Sequence, residues 1–498
     1  MLLGALAHLK RLLTALFFYL VRPPVGLLEL ILSWTVAIQR GFSSDMKVRR
    51  QQKIKRITKK QGKNGTPVEV APKPDLGSAL IPKERYVSPD YMSQEWEHMW
   101  SKVWLLACRD EDLPEPGDHF VTEIGKESIL LVRQNDNTVK AFYNVCHHRG
   151  NRLVHSFEKP QEAATSFKCK YHDWEYSING SFMDIPDLET FPQGAPPCGG
   201  LTELPCDSWG SFVWFSLNQD VEPLMNYLGV IPEHLNPYHF DRMKLTQALT
   251  VEWDCNWKAS VDAFNESYHV QGIHKQLLYY LDDLDIQIDC YERHNRYLIA
   301  FGVLSPRVIA PGEIPPAIKV VMKGAGMDPA SYEGSVHDIR QSVQKFKREN
   351  GPSQGKDYSA LNDDQLTDDY HYMIFPNITM NVHADDLMLF RQRPHPDDPN
   401  KMLFDYYMYE LPDLEFDEEE YRRPVHKQYK YGEVSLGLVI NQDAYNLPFV
   451  QKGMQSEGYE GLWIGDQELR IRHFHDTLEN YLNEDSNNKK IPKKHKKL

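Results

Sequence analysis

The chain has 498 residues, of which 41% are hydrophobic and 11% aromatic, so it can bury a large core in one or two domains. Its formal net charge of −14 is unevenly distributed. Residues 1–63 carry 13 Lys/Arg and 2 Asp/Glu, and the last ten residues carry six lysines and no acid, which leaves −31 on residues 64–488 (37 basic against 68 acidic residues). A body this acidic repels phosphate backbones, which argues against nucleic-acid binding.

The cysteines give no sign of a disulfide framework, because there are seven of them and their spacing is irregular. We therefore expect a reducing, cytoplasmic compartment. The seven are Cys108, Cys146, Cys169, Cys198, Cys206, Cys255 and Cys290.

Residues 1–42 are predicted to form an apolar helical anchor. They contain two apolar stretches, 12–21 and 25–39, separated by "RPP". Neither stretch reaches the roughly 20 apolar residues that a membrane-spanning helix needs. Small and polar residues recur at helical spacing in the second stretch, which is typical of a helix lying in the membrane interface. The alternative is a pair of helices that pack on a partner subunit.

Residues 43–78 are predicted to be a basic segment and a linker. Nine Lys/Arg lie between residues 47 and 63, and each contributes about 1 kcal/mol of attraction near an anionic lipid surface. The Pro- and Gly-rich stretch 64–77 is typical of a linker to a folded body. We therefore expect a cytoplasmic protein held peripherally at the inner face of a membrane. A solvated linker without membrane contact is the alternative.

A cysteine–histidine pair occurs twice in the next part of the chain. Cys146 and His148 lie in "NVCHHRGNRLVH", and Cys169 and His172 lie in "FKCKYHDWEY". Two thiolates and two imidazoles can hold structural zinc, but zinc sites more often place like ligands together in each half. One cysteine and one histidine per half favours a 2Fe–2S cluster in which one iron takes both cysteines and the other both histidines.

The surrounding sequence resembles the Rieske domain of ring-hydroxylating oxygenases. The resemblance lies in "WLLACRDEDLPEPGDHF", "AFYNVCHHRGNRL" and "CKYHDWEYSINGSF". It implies an antiparallel β domain over residues 79–225, and the alternating segment with a turn at "QNDN" agrees with this fold. The loop between the two half-sites is longer than usual, and Asp173 stands where the family commonly has glycine. Aspartate tolerates the left-handed conformation, so this second departure is mild.

A second histidine pair lies in "EWDCNWKASVDAFNESYHVQGIH", residues 252–274. His269 and His274 would lie about 140° apart on a regular helix, so they can converge only where the helix bends or bulges, which Gly272 permits. Taken alone, such a pair is more often found in a core or on a surface. In ring-hydroxylating oxygenases, an acid, two residues, His, four residues and His form the mononuclear iron signature, and Glu266, His269 and His274 resemble it.

The third iron ligand is implied by the same resemblance. In the family it is an aspartate on a late helix, and "LVINQDAYNLPFVQKGM" resembles that helix, so Asp443 is the candidate. Two imidazoles and one carboxylate occupy one face of Fe(II) and leave positions open for oxygen and substrate. A solvated helical aspartate is the alternative for this residue.

Glu266 is expected to act as a bridge between the two metal centres. In the family, the equivalent carboxylate joins an iron-binding histidine to a cluster histidine of a neighbouring subunit. The implied path is His172, Glu266 and His269 across a subunit boundary, which predicts a homotrimer. Asp262 stands where relatives often have asparagine, and we expect it to share or contest the bridging role.

Residues 226–482 are predicted to be the catalytic domain. Alternating segments on both sides of "RPHPDDPN" and at 296–304 indicate strands, and the segment from 461 indicates a closing helix. The resemblance implies a helix-grip domain, in which an antiparallel sheet curves around a long helix. The fold class is therefore α+β with an N-terminal helical extension, and residues 483–498 are expected to form a basic disordered tail.

The resemblance implies the oxygenase component (α subunit) of a mono- or dioxygenase. Such a protein would use a mononuclear Fe(II) and O2 to hydroxylate a small hydrophobic organic substrate. The sequence has no Gly-rich nucleotide loop after a strand and no ferredoxin-type cysteine run, so we expect a separate NAD(P)H-dependent reductase, with or without a ferredoxin. The alternative is a non-catalytic electron-transfer protein or a zinc-stabilised binding protein.

Overall fold

The computed structural model describes residues 70–155 and 163–488, with side chains through residue 483. The anchor predicted at 1–42, most of the linker predicted at 43–78 and the final residues of the basic tail lie outside the described residues. None of the helices in the described ranges is long and apolar enough to cross a membrane.

The first half of the described chain is built from short antiparallel strands. They form three small sheets with the strand orders β10-β11-β2, β3-β4-β5-β9 and β6-β7-β8. The strands are β2 Trp104–Arg109, β3 His119–Ile124, β4 Glu127–Arg133, β5 Val139–Tyr143, β6 Ser166–Lys168, β7 Glu175–Ser177, β8 Phe182–Asp184, β9 Glu203–Leu204, β10 Cys206–Trp209 and β11 Phe212–Ser216. The turn predicted at "QNDN" joins β4 to β5, and Asn137 adopts the left-handed φ of 66° that this turn requires.

The second half is organised by an eight-stranded sheet with the order β13-β14-β15-β16-β17-β18-β12-β19. Neighbouring strands are antiparallel, except that β12 and β19 run parallel. The strands are β12 Lys244–Trp253, β13 Gln287–Cys290, β14 Asn295–Ile299, β15 Asp369–Ile374, β16 Ile378–Val382, β17 Asp386–Pro394, β18 Met402–Glu410 and β19 Lys427–Lys430. A separate pair, β1 Ile81–Pro82 and β20 Gly461–Leu462, joins the start of the described chain to the segment before its last helix.

Ten α-helices complete the described chain. They are α1 Glu84–Val87, α2 Pro89–Glu95, α3 Leu224–Leu228, α4 Ile231–Leu235, α5 Trp257–Phe264, α6 Val270–Ile273, α7 Pro316–Gly324, α8 Ile339–Asn350, α9 Leu438–Met454 and α10 Leu469–Asn488. Trp96–Trp100 forms a π-helical turn after α2. Short 3-10 turns lie at Asp110–Asp112, Leu188–Thr190, Asn236–Tyr238, Phe240–Arg242, Lys275–Tyr279, Val336–Asp338, Gly351–Gln354, Asp364–Leu366 and Asp466–Glu468.

The inner face of the large sheet packs against α5. The ring of Phe264 on this helix lies 4.7 Å from the ring of Phe390 on β17 and 5.8 Å from that of Phe404 on β18. Helix α10 packs against β13 and β14 on the same face, since Asn295 and Phe390 share that face in the strand register. The α+β class and the sheet curved around helices are therefore confirmed.

The two halves share one hydrophobic core and a polar junction. Arg391 on the outer face of β17 donates to the carbonyl oxygens of Leu106 (2.7 Å) and Ala107 (3.1 Å) on β2, and pairs with Asp405 at 2.7 Å. A guanidinium with fixed acceptors on both sides holds the two sheets in one orientation.

Three boundaries differ from those expected. The strand expected over 296–304 ends at Ile299, with only an isolated bridge at Phe301. Helix α10 continues past the boundary predicted at 482 through Asn488, the last residue that the structure describes. The helix expected to carry both histidines ends at Phe264, and a new single-turn helix begins only at Val270.

Candidate metal centres

The first candidate centre brings the two cysteine–histidine pairs together. Cys146 and Cys169 are both buried, and the ring centroids of His148 and His172 lie 4.3 Å apart. Each cysteine carbonyl closes a tight turn, because Cys146 accepts from the amide of Gly150 and Cys169 from that of Asp173. The two loops therefore present their ligands from turns fixed by the backbone.

Neighbouring groups suit these side chains to hold an iron–sulfur cluster. The Tyr176 hydroxyl donates to the Cys146 sulfur at 3.2 Å, and such hydrogen bonds stabilise thiolate ligands. Burial lowers the pKa of His148 and the neighbouring His172 lowers it further, so that its imidazole is neutral, as a metal ligand must be. Asp173 adopts the left-handed φ of 58°, so aspartate does take the conformation expected of it at this position.

The second candidate centre contains His269, His274 and Asp443. One ligand atom from each lies within 4.8 Å of the others, and His274 and Asp443 are buried. Asp443 Oδ1 lies 3.0 Å from His274 Nε2 and 3.8 Å from His269 Nε2. His269 and His274 lie at the two ends of α6, a single helical turn. They converge because neither belongs to a longer regular helix. Asp443 reaches them from α9.

The opposite ring nitrogens of both histidines are occupied. Glu266 Oε1 lies 2.5 Å from His269 Nδ1, while its Oε2 accepts from the His269 backbone amide at 3.0 Å. Gln442 Oε1 lies 2.8 Å from His274 Nδ1, which therefore donates to it. Burial opposes protonation of His269, but the Glu266 carboxylate raises its pKa to about 9. Because partners occupy both Nδ1 atoms, the Nε2 atoms face Asp443 and become the ligand atoms once a metal displaces the proton of His269, which is the usual arrangement around a metal-binding histidine.

Gln442 was not identified from the sequence. Its only signal is its position next to Asp443, because the residue that it orients lies 168 positions earlier in the chain.

Asp262 lies in a different network from the one expected. The Tyr86 hydroxyl donates to Asp262 Oδ2 at 2.5 Å, and His475 Nε2 lies 3.2 Å from Oδ1. The structure does not bring Asp262 to His269, because α5 ends at Phe264 and the chain turns before Glu266. Asp262 therefore joins α5 to α1 and α10, and of these two acids only Glu266 forms a hydrogen bond with His269.

Within a single chain, no hydrogen bond between described residues joins Glu266 to His172. The path expected from the sequence places this contact between two copies of the chain.

Two sequence-family comparisons match most of the described chain. The Rieske [2Fe-2S] domain matches residues 103–198, and the ring hydroxylating alpha subunit (catalytic domain) matches residues 240–484. The chain belongs to the ring-hydroxylating α-subunit family of Rieske non-haem iron oxygenases. Its resident cofactors are a Rieske 2Fe–2S cluster and a mononuclear iron, and the donor sets described above fit both.

The chain spans less than half the length of each of two curated relatives. The glycine betaine monooxygenase oxygenase subunit of Chromohalobacter salexigens is 28% identical over 211 residues, which cover 42% of this chain and 46% of the relative. The large oxygenase component of the naphthalene 1,2-dioxygenase system of Pseudomonas putida is 32% identical over 196 residues, which cover 38% and 43%.

Solved structures share the fold over a longer range. A quaternary ammonium Rieske monooxygenase in complex with L-carnitine has a TM-score of 0.59 at 18% identity, and covers 83% of this chain and 99% of that one. Naphthalene 1,2-dioxygenase with indole bound has a TM-score of 0.57 at 18% identity, and covers 81% and 92%. These likenesses concern the fold alone.

Proposed function

We propose that this chain is the oxygenase component of a Rieske oxygenase system that hydroxylates a small organic substrate with O2. Electrons would come from a separate NAD(P)H-dependent reductase, with or without a ferredoxin. The observation that carries the proposal is the group of His269, His274 and Asp443, whose ligand atoms converge within 4.8 Å. When bound, the cluster supplies single electrons and the Fe(II) supplies open positions for oxygen activation.

The residues of the chain fall into metal ligands and residues that orient these ligands. His269, His274 and Asp443 would hold one face of the iron, while Glu266 and Gln442 fix the two imidazole rings by their Nδ1 atoms. Cys146, His148, Cys169 and His172 would hold the cluster. Fixed rings leave the ligand geometry unchanged during turnover, which keeps the reorganisation of the site small.

A homotrimer is part of this proposal. Tyr268 next to His269 is 50% exposed, and Tyr445 and Phe449 on α9 are 63% and 56% exposed. At the other centre, Tyr171 next to His172 is 54% exposed. Large apolar side chains in exposed patches mark interaction surfaces. The side chains of Tyr268, Tyr445 and Phe449 would pack around Tyr171 of another copy. This packing would cover all four side chains and bring Glu266 to His172 of that copy.

Residues 1–63 would hold the enzyme at an anionic membrane surface in the cytoplasm. The support is their sequence, in which the apolar stretches are followed by the basic segment. The intact protein should pellet with phosphatidylserine-containing vesicles at low salt, and a protein starting at residue 64 should stay in the supernatant. Equal behaviour of both proteins would leave the segment without a membrane role.

The ligand assignment is tested by metal analysis of variants. Cys146→Ala should lose the visible absorption of the cluster, whereas His269→Ala and Asp443→Ala should lose the mononuclear iron and keep that absorption. Asp466→Ala, an exposed acid near α10, is the matched control and should keep both. A colourless purified protein that contains zinc would contradict the proposal in favour of a zinc-stabilised binding protein.

The reaction is tested by product analysis. Extracts incubated with the holoenzyme, a reductase and ¹⁸O₂ should gain compounds that carry one or two ¹⁸O atoms, which also separates mono- from dioxygenation. The Asp443→Ala protein should form none of these compounds. Equal labelling by both proteins would contradict an oxygenase reaction at this site.

A further inference from the structure

A cavity of about 260 Å³ lies beside the first metal centre. One wall is the ring of His148, which stacks on the buried Trp174 ring with centroids 4.9 Å apart and planes 7° apart. Phe191 stands edge-on to both rings, with its centroid 5.8 Å from each. His147 and the exposed loop 193–197 complete the lining. The cavity therefore lies directly against a candidate ligand of the cluster.

The walls of this cavity are rigid and mostly apolar. Pro196 and Pro197 have fixed φ angles, which limits the motion of the loop that carries them. Backbone hydrogen bonds from Gly194 to Phe191 (2.9 Å) and from Gly199 to Pro196 (3.3 Å) close this loop. The lining residues include no lysine, arginine, aspartate or glutamate. A rigid cavity with this lining suits an uncharged ring better than a charged group.

Trp463 is the most exposed large apolar side chain in the described part of the chain, at 92%. Its neighbours Leu462 and Ile464 pack against the hydrophobic core, and Leu462 pairs with Ile81 where β20 meets β1. Successive side chains of an extended segment point to opposite sides, so this anchoring directs the Trp463 ring into solvent. A bulky indole that the backbone holds in solvent indicates a contact surface.

Trp463 lies on the side of the molecule that carries the iron ligands. Glu468 follows it by five residues, which span at most about 17 Å, and accepts from the Gly465 amide at 2.7 Å. Burial raises the pKa of Glu468, and the nearby charges of Glu266 and His269 raise and lower it respectively, so this segment runs beside the iron centre. Trp463 is therefore within reach of the surface through which Glu266 would contact a second copy.

The cavity and the Trp463 ring lie on the two surfaces that would meet in the proposed trimer. The rings of His148 and His172 are 4.3 Å apart, so the cavity borders the contact expected between His172 and Glu266 of another copy. Trp463 borders the same contact from the iron side. A protruding aromatic ring and a cavity at matching positions on two facing surfaces are typical of the centre of a protein interface.

We propose that the Trp463 ring of one copy occupies the cavity beside His148 of a neighbouring copy. The indole is uncharged, as the cavity requires, and the exposed Gln193 offers an acceptor for its N–H group. The ring would cover one face of a cluster histidine from water, so each cluster site would be completed by a residue of another chain. The inference rests on the proposed function in one respect, since it takes the chain to form a homotrimer.

Site-specific cross-linking of the full-length holoprotein tests the contact directly. Trp463→p-benzoylphenylalanine keeps an aromatic side chain at this position and bonds covalently to adjacent groups on irradiation. A covalent dimer should appear on a denaturing gel, and mass spectrometry should find its cross-link within residues 191–197 of the second chain. Leu414→p-benzoylphenylalanine is the matched control, because Leu414 is 71% exposed in the segment between β18 and β19. It should give no cross-link to residues 191–197.

Variants measure how much the contact contributes to assembly, by analytical ultracentrifugation at a series of protein concentrations. Trp463→Ala should raise the concentration at which half of the trimer has dissociated by about thirtyfold or more, as expected of a central aromatic contact. Ala195→Phe narrows the cavity and should have a similar effect. The double variant should be no weaker than either single variant, because both changes remove the same contact. Leu414→Ala should leave the trimer unchanged.

Three outcomes would overturn the inference. The first is a trimer whose cross-links from residue 463 all map outside 191–197, and the second is a trimer of full affinity in Trp463→Ala. The third is an Ala195→Phe protein that stays trimeric while the reductase reduces its cluster more slowly, which would assign the cavity to the reductase. Labelled products from any of these trimers would keep the proposed function while overturning this inference. An original protein that is active as a monomer would overturn the trimer as well.

Discussion

Replacing Lys258 by methionine should destabilise the protein by about 3–5 kcal/mol at neutral pH, which is the usual cost of removing one partner from a buried ion pair. Lys258 Nζ lies 2.6 Å from Glu95 Oε1, and the two side chains are each only 1% exposed. The ammonium group also lies 5.0 Å from the Trp257 ring and 5.5 Å from that of Tyr91. Methionine fills much of the same volume, so the loss comes chiefly from a carboxylate left buried and unpaired.

The loss should depend on pH in a defined direction. Burial raises the pKa of Glu95 and Lys258 lowers it, so removal of Lys258 leaves the rise unopposed. A carboxyl whose pKa is higher in the folded than in the unfolded state costs stability only above its unfolded pKa of about 4.3. The free energy of unfolding of the variant should therefore be close to that of the original protein near pH 4 and furthest below it at neutral pH.

Urea unfolding followed by circular dichroism at several pH values measures this loss, with cluster absorbance recorded separately. The double variant Lys258→Met/Glu95→Gln removes both charges and should recover most of the stability. A loss below about 1 kcal/mol in the single variant, or no recovery in the double variant, would refute the assignment of a charged pair beneath α5.

Two further predictions concern single side chains. Glu266→Gln should keep both metals but slow oxidation of the reduced cluster at least tenfold, because the amide lacks the charge that joins His269 to a neighbouring cluster. Stopped-flow absorbance after addition of substrate and O2 measures this rate, and an unchanged rate would remove Glu266 from the electron path. His294 donates from Nε2 to the Tyr227 carbonyl at 2.8 Å and accepts at Nδ1 from the Phe375 amide at 3.1 Å, and burial lowers its pKa to about 3. Its neutral form therefore contributes stability that is lost as the pH falls below about 6.5, amounting to about 2 kcal/mol at pH 5. His294→Gln should show a flatter acid branch in urea unfolding, and an identical pH profile would contradict the account.

Short-range spacing was enough to identify the four candidate cluster ligands, whereas the iron-site histidines and Asp443 needed the family resemblance. Cys146 and Cys169 can be recognised as candidate ligands because each has a histidine nearby in the sequence. The two turns that present them are closed by local backbone hydrogen bonds. His269 and His274, five residues apart, could face one metal only outside a regular helix. In the structure they lie at the two ends of the single-turn helix α6. Asp443 has no local signal of this kind and was identified only because its helix resembles one in the family.

Long-range partners could not be read in the same way. Asp262 lies 176 residues from Tyr86 and 213 from His475, and these contacts rather than its distance from Glu266 decide its role. Arg470 was likewise one charged residue among several in an amphipathic helix. Only its contacts in the fold, with Asn295 Oδ1 at 2.6 Å and His371 Nδ1 at 3.0 Å, show that its guanidinium is buried.

The contacts of Arg391 limit how hybrids of this protein can be made. Two of its hydrogen bonds end on backbone carbonyls of β2, so this strand of the cluster domain is fixed to the outer face of the eight-stranded sheet. A cassette exchanged near residue 225 would replace the strand that supplies these carbonyls, so two of the hydrogen bonds of Arg391 would depend on the new strand lying in the same position, while Asp405 would remain. Breakpoints inside 110–205 would spare β2 and β11 while still replacing all four cluster ligands. Grafting a cluster of different reduction potential onto this catalytic domain should therefore succeed more often with the inner segment than with the whole domain.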